Sequence, residues 1–258
     1  MTREFDLAPS LARGVADRAG AWEFIRGFAT HWVRPLSRGD GRPETELDRA
    51  ENRLGLRLPA ALREAYLLLG RRPDLTGRID ALLAPAELYV DGAGEALVFR
   101  RSDEGDASWG IPLDRLAESD PPVGIRVHLP DGTAERWEGW LERLSLCFVE
   151  LVLSESLRTP GRPRAFLDPD DTHVELLEEH AVRLPFPPYP VGQEEGGGRW
   201  FLAGDVLLYD GGGMSLYARG RSAAGLERVR ELIPGEWLDG GAGPVESLET
   251  GPRQGSHV

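Results

Sequence analysis

The chain has 258 residues, 41% of them hydrophobic and seven of them tryptophan, enough to bury a sizeable core and too apolar for disorder. Its 43 acids outnumber 30 basic residues for a net charge of −13, which disfavours free nucleic acid, whose binding rests on phosphate neutralisation by a basic face. Every basic residue is arginine, so a Walker lysine, a Schiff-base lysine and a kinase strand lysine are all excluded.

Residues 1–20 read as a polar lead with room for one loose helix. The opening MTREFDLAPS has no apolar core of signal-peptide length, and no apolar run approaches the roughly 20 residues that span a bilayer. A cytoplasmic protein without membrane contact is expected. Ala21–Leu36 predicts a helix with Ile25, Phe28, Ala29 and Trp32 on one apolar stripe, stopped by Pro35. A second helix is expected over Glu44–Leu54, closed by Gly55 as its C-terminal cap. Pro59 then suits the first turn of a third, which carries Leu62, Ala65, Tyr66 and Leu69 inward and ends at Gly70.

Residues 82–127 hold three short runs with strand composition: Ala96–Arg101, Ser108–Leu113 and Val123–Leu129. Gly, Pro and Asp punctuate them, the pattern of an antiparallel meander. Gly110 stands near the middle of the central run beside Trp109. A glycine there weakens a strand unless another group must come close, and a neighbouring tryptophan suits that space. Glu135–Glu142 reads as a final strand running into the helix Leu141–Leu157, which holds Cys147 and places Leu144, Phe148, Leu151 and Glu155 near one line. Arg158–Arg164 and Pro185–Pro190 look like stiff linkers around a helix Thr172–Val182 capped by Asp170 or Asp171. Glu194–Gly198 reads as a hinge. Arg199–Tyr209 and Met214–Arg219 predict a hairpin across Asp210–Gly213, followed by a helix over Ala223–Ile233 and a Gly-rich tail from 239 to 258.

Templates for chemistry fail on spacing. Gly92 and Gly94 begin a dinucleotide loop that Leu97 breaks. The serines after Gly213 and Gly220 lack a nucleophile elbow. Asp168, Asp170 and Asp171 precede His173 where a calcium loop needs glycine, and His173 and His180 are two turns apart, too far for one zinc. His31, His128 and His257 stand isolated in sequence. Cys147, the single cysteine, reads as a buried hydrophobe. No catalytic, cofactor-binding or metal-binding residue emerges, and no cofactor is expected. What remains is acidic: Asp103, Glu104 and Asp106, then Glu118 and Asp120. These read first as the solvated surface of an acidic protein and, in the sharper alternative, as the rim of a partner-binding face, since they lie on loops at the ends of the sheet where binding groups tend to lie. A third cluster, Glu175, Glu178 and Glu179, belongs to a helix and reads as solvated surface.

Glu51, Leu54-Gly55, Leu58-Pro59, Leu62, Tyr66 and Gly70, followed by Leu88-Tyr89, Val98-Phe99, Trp109-Gly110 and Asp120-Pro121-Pro122-Val123, resemble in order and spacing the SUKH superfamily, also called the Smi/Knr family. The resemblance covers residues 21–157 and takes in Trp22, Phe148 and Leu151. It implies an α+β fold, a twisted, mainly antiparallel sheet flanked by helices, in which Glu51, Gly55, Pro59, Tyr66, Trp109, Gly110 and Pro121 are framework. Residues 199–238, ending at Leu232-Ile-Pro-Gly-Glu-Trp237, resemble a small ββα extension of some bacterial relatives, reached through a linker over 158–198. The implied function is non-enzymatic: an immunity-type protein that neutralises a toxin by binding it. An acidic scaffold suits a basic, nuclease-like toxin, with Asp103, Glu104, Asp106, Glu118 and Asp120 as the partner-binding face and Arg100 and Arg101 adding specificity. The alternative is a regulatory or scaffolding protein of the same fold with no toxin partner. A small-molecule enzyme is the third class, and a buried pocket with several shifted acids would point to it.

Overall fold

The computed structural model describes residues 5–128, 135–159, 161–191 and 197–240. Eight helices and twelve strands are formed by the described residues: α1 (Leu7–Gly14), α2 (Arg18–Trp32), α3 (Glu44–Leu54), α4 (Ala60–Leu69), α5 (Pro73–Thr76), β1 (Asp80–Leu82), β2 (Tyr89–Val90), β3 (Ala96–Ser102), β4 (Ala107–Pro112), β5 (Val123–Val127), β6 (Glu138–Leu141), α6 (Leu144–Leu157), β7 (Arg164–Leu167), α7 (Asp171–His180), β8 (Val182–Arg183), β9 (Gly198–Ala203), β10 (Val206–Gly211), β11 (Leu216–Gly220), α8 (Ala223–Leu232) and β12 (Leu238–Asp239). The fold is α+β with two antiparallel sheets. The first runs β1-β3-β4-β5-β6, with β2 also on the β1 side of β3, and the second runs β12-β7-β11-β10-β9-β8.

The amphipathic helices form where their periodicity places them. In α2, Ile25, Phe28, Ala29 and Trp32 are buried, and Asp17 caps the first turn by accepting from the Gly20 N–H. Gly55 ends α3 with φ of +66°, a left-handed conformation that costs glycine nothing. Glu51 of the same helix is buried, where it accepts the Leu58 N–H at 2.9 Å and pairs with Arg57 and Arg63. Burial opposes ionisation there, but those donors prevail and hold the carboxyl below its ordinary value. Pro59 leads into α4, where the buried Tyr66 hydroxyl donates to the Leu83 carbonyl. The N-terminal lead is more than loose helix: Leu7 and Leu11 of α1 are buried against α2.

At the centre lies α6, apolar on nearly every side and therefore surrounded. It packs on α2, α4 and α5 and touches β6 of one sheet and β11 of the other. Its start is held by two residues of the β4–β5 connection. Asp120 accepts from the Ser145 N–H and hydroxyl, and the Pro121 carbonyl accepts the Leu144 N–H.

Three expectations for the C-terminal half need correction. Residues 158–198 do not form a linker around one helix, because β7 and β8 belong to the second sheet and the proline-rich stretch buries Phe186 and Tyr189. The run Arg199–Tyr209 is two strands folded at Gly204, whose φ of +59° allows the turn. The small ββα extension is therefore part of a six-stranded sheet. One face of that sheet joins the main core through Trp200 and Leu207, and the other packs under α7 and α8. Asp170 does cap α7, by accepting the His173 N–H. Residues 239 and 240 are ordered against β7, while 241–258 of the expected tail, His257 and residues 194–196 of the expected hinge lie outside the described residues.

Candidate binding sites on the two faces of the first sheet

Strand β4 displays opposite chemistries on its two faces. Gly110 faces outward in register with Gly124 of β5, which pairs in turn with Gly139 of β6. The indole over this glycine row belongs to Trp137, not to the adjacent Trp109. A Cβ on Gly110 would stand 2.7 Å from Trp137 Cη2. Trp137 is anchored by its indole N–H, which donates to Asp91.

Outward beside it run Ser108, His128 and Glu135. Ser108 Oγ lies 2.9 Å from His128 Nε2, and His128 Nδ1 lies 3.2 Å from Glu135, so His128 is not isolated. The order of atoms is that of a hydrolase triad. However, Ser108 is 2% exposed in a strand paired on both sides, which shields its hydroxyl from a substrate. Arg126 links Glu135 to Asp91, and the group reads as a structural polar network.

Inward, the regular alternation of β3 breaks. Val98 pairs with Gly110 and Arg100 with Trp109, so Phe99 is the extra residue of a β-bulge. Bulges re-aim side chains, and here the bulge turns Arg100 into the core, where it is 1% exposed. Its guanidinium sits 4.1 Å from the Trp109 ring centroid and donates to Asp80 and Glu150, each at 2.7 Å. Arg100 was expected beside the acids at the surface, and the bulge overturns that. Arg101 remains exposed.

Glu150 also accepts from the Ser154 hydroxyl. Glu155, fully buried one turn on, accepts backbone N–H groups from Arg78, Ile79 and Asp80. Ile79, Asp80, Arg100, Trp109, Glu150 and Ser154 frame a cavity of about 170 Å³ between the first sheet, α6 and the second sheet, with Trp140, Arg158, Tyr209 and Tyr217 completing its walls. Burial raises the carboxyls of Asp80 and Glu155 above their ordinary range, despite the nearby Arg100. Burial likewise pushes the Cys147 thiol up to about 12, which keeps it an inert core residue. Trp109 is thus framework and cavity wall at once.

A carboxyl raised in the folded state takes up protons on folding, so its ionisation weakens the fold as pH rises from the ordinary carboxylate value to the raised one. Asp40, Glu51, Asp74 and Asp91 are lowered instead, and they withdraw stability only as pH falls below the ordinary value. The two windows do not overlap. Asp80→Asn keeps an acceptor for Arg100, and it is expected to flatten the decline in stability as pH rises above the ordinary carboxylate value. Urea titrations at a series of pH values measure it; an unchanged slope would assign the decline to other groups.

The acidic residues do not form one face. Asp103, Glu104 and Asp106 are exposed in the turn between β3 and β4, at one end of β4, and Glu118 and Asp120 lie beyond its other end. Asp120 is committed to α6, and Glu118 pairs with Arg115. Asp103 and Glu104 form no ion pair with any described residue, while the Asp106 carboxylate accepts from the Ser102 hydroxyl and its carbonyl accepts the His128 N–H. Among the described residues no helix is long and apolar enough to cross a membrane, and no cluster of His, Cys, Asp and Glu is placed to hold a metal. Compared with protein-family models, curated proteins and solved structures, the chain matches none of them.

Proposed function

We propose that the chain is a non-enzymatic protein-binding module of the immunity type that its SUKH resemblance implies, neutralising a basic, nuclease-like toxin by sitting on it. One observation carries this reading: the β3–β4 turn presents Asp103, Glu104 and Asp106 to solvent without a cationic partner among the described residues. Elsewhere the arginines are drawn into ion pairs with the scaffold's own acids, as at Arg63, Arg72 and Arg199. Free carboxylates on a rigid hairpin steer a basic surface toward them and fix its orientation. In the cavity, Arg100 is held by Asp80 and Glu150, and Glu150 also accepts from the Ser154 hydroxyl.

The test is association of the chain with a basic toxin encoded beside it. The triple variant Asp103→Asn, Glu104→Gln, Asp106→Asn keeps the shape of the turn. It is expected to slow association about tenfold at low salt, with the difference vanishing at high salt. Loss of growth rescue on co-expression should accompany it. Equal association rates at every salt concentration would remove the turn from the interface.

A further inference from the structure

We infer that the open groove beside Trp137, on the outward face of the first sheet, is an anchor site for an arginine side chain of a basic protein partner. The partner's identity rests on the function proposed above, whereas the groove's preference for arginine can be measured without it.

The missing side chains of Gly110 and Gly124 open a space of about 470 Å³, walled by Pro112 and Trp137 and edged by the exposed Glu95 and Asp114. Ligand pockets run from roughly 300 to 1,000 Å³, so the groove takes one long side chain together with the peptide bonds that flank it.

Hydrogen bonding selects the guest. The donors around the groove are already in use. The Trp137 indole N–H and the N–H groups of Glu95 and Ala96 all donate to Asp91. The Leu113 N–H donates to the Glu95 carbonyl, and Arg136 is tied to Glu138 at 2.9 Å. The open groups are acceptors: the carboxylates of Glu95 and Asp114 form no hydrogen bond or ion pair with any described residue. An anion would therefore meet two carboxylates and find no free donor. A guest that brings N–H groups and positive charge meets acceptors on one side and an indole on the other.

Arginine fits this pairing better than lysine. Its guanidinium is planar, stacks on aromatic rings, forks toward carboxylates and is weakly hydrated, whereas an ammonium is a compact, strongly hydrated point charge. Pro112 offers an apolar surface to the methylenes of the stem. The six residues of β4 separate the groove from the Asp103–Asp106 turn, a distance of roughly 20 Å. One partner can span both, steered by the turn and held at the groove.

The probes are a capped Gly-Arg-Gly peptide, its lysine counterpart and its citrulline counterpart, which keeps the planar head of arginine without the charge. Titrations of the full chain follow the Trp137 indole N–H resonance, assigned by its absence in Trp137→Phe. Millimolar arginine peptide is expected to shift this resonance, the lysine peptide to bind about threefold more weakly, and the citrulline peptide to leave it in place. Glu95→Gln combined with Asp114→Asn changes only exposed side chains, and it should weaken the arginine peptide about fivefold at low salt. The triple variant of the β3–β4 turn should bind the peptide as the parent does. Four results would each overturn the inference: an unmoved Trp137 resonance, equal binding of the lysine or citrulline peptide, unchanged affinity in the Glu95 and Asp114 variant, or lost binding in the turn variant. A toxin captured by the turn while the groove ignores arginine would remove the anchor and leave the proposed function standing. Arginine binding in the absence of any toxin would do the reverse.

Discussion

Replacing Arg100 by methionine is expected to destabilise the chain by about 3–5 kcal/mol, the cost of breaking a buried ion pair from one side. Methionine matches the length of the side chain but leaves Asp80 and Glu150 buried without their cation. The ring contact with Trp109 is lost as well. Denaturant unfolding at neutral pH measures the loss. The same measurement on Arg100→Met combined with Asp80→Asn and Glu150→Gln should recover most of it, because the uncompensated charges are then gone. A single variant as stable as the parent would mean that the two acids are already neutral in the folded chain.

Arg219→Met is expected to act in the opposite direction, raising stability by about 1–2 kcal/mol. Arg219 is as buried as Arg100, yet it forms no ion pair with a carboxylate among the described residues. Burial and the neighbouring Arg162 push its pKa down to about 10, below the ordinary arginine value. At about 1.4 kcal/mol per unit, the charge weakens the fold by roughly 3 kcal/mol. Arg164 stands directly across the β7–β11 pair and adds a like charge. Against this, one N–H of Arg219 reaches the Trp32 carbonyl at 2.6 Å and satisfies the open end of α2. Losing that bond costs about 1–2 kcal/mol, less than the relief of the charge. Should the variant unfold at lower denaturant instead, the cap on α2 outweighs the desolvated cation.

These two arginines show where sequence reading succeeds and where it stops. The stripe Ile25–Trp32, the Gly55 cap and the α7 cap were legible because each depends on residues within about a turn of one another. Arg100 was not, because a bulge changes inward for outward and leaves no mark in composition. The two groups of acids looked like neighbours for want of topology, since a strand in between carries them to opposite ends of the sheet. The second sheet escaped because one of its inner pairings, β7 with β11, joins segments some fifty residues apart. Prolines around Phe186 and Tyr189 suggested a spacer, although both aromatic rings end up in the core. His128 joined its network for a related reason: Ser108 comes within reach only through the β4–β5 register.

The bond from Arg219 to the Trp32 carbonyl links residues 187 positions apart. Contacts of such sequence separation are slow to form, since the loop they close is entropically expensive. During synthesis, the helices and the meander emerge long before the strand that must reach back to them. The cavity beneath Trp109, walled by Tyr209 and Tyr217 on that late strand pair, therefore does not exist in a nascent chain. It is completed only once residues 206–220 have been added.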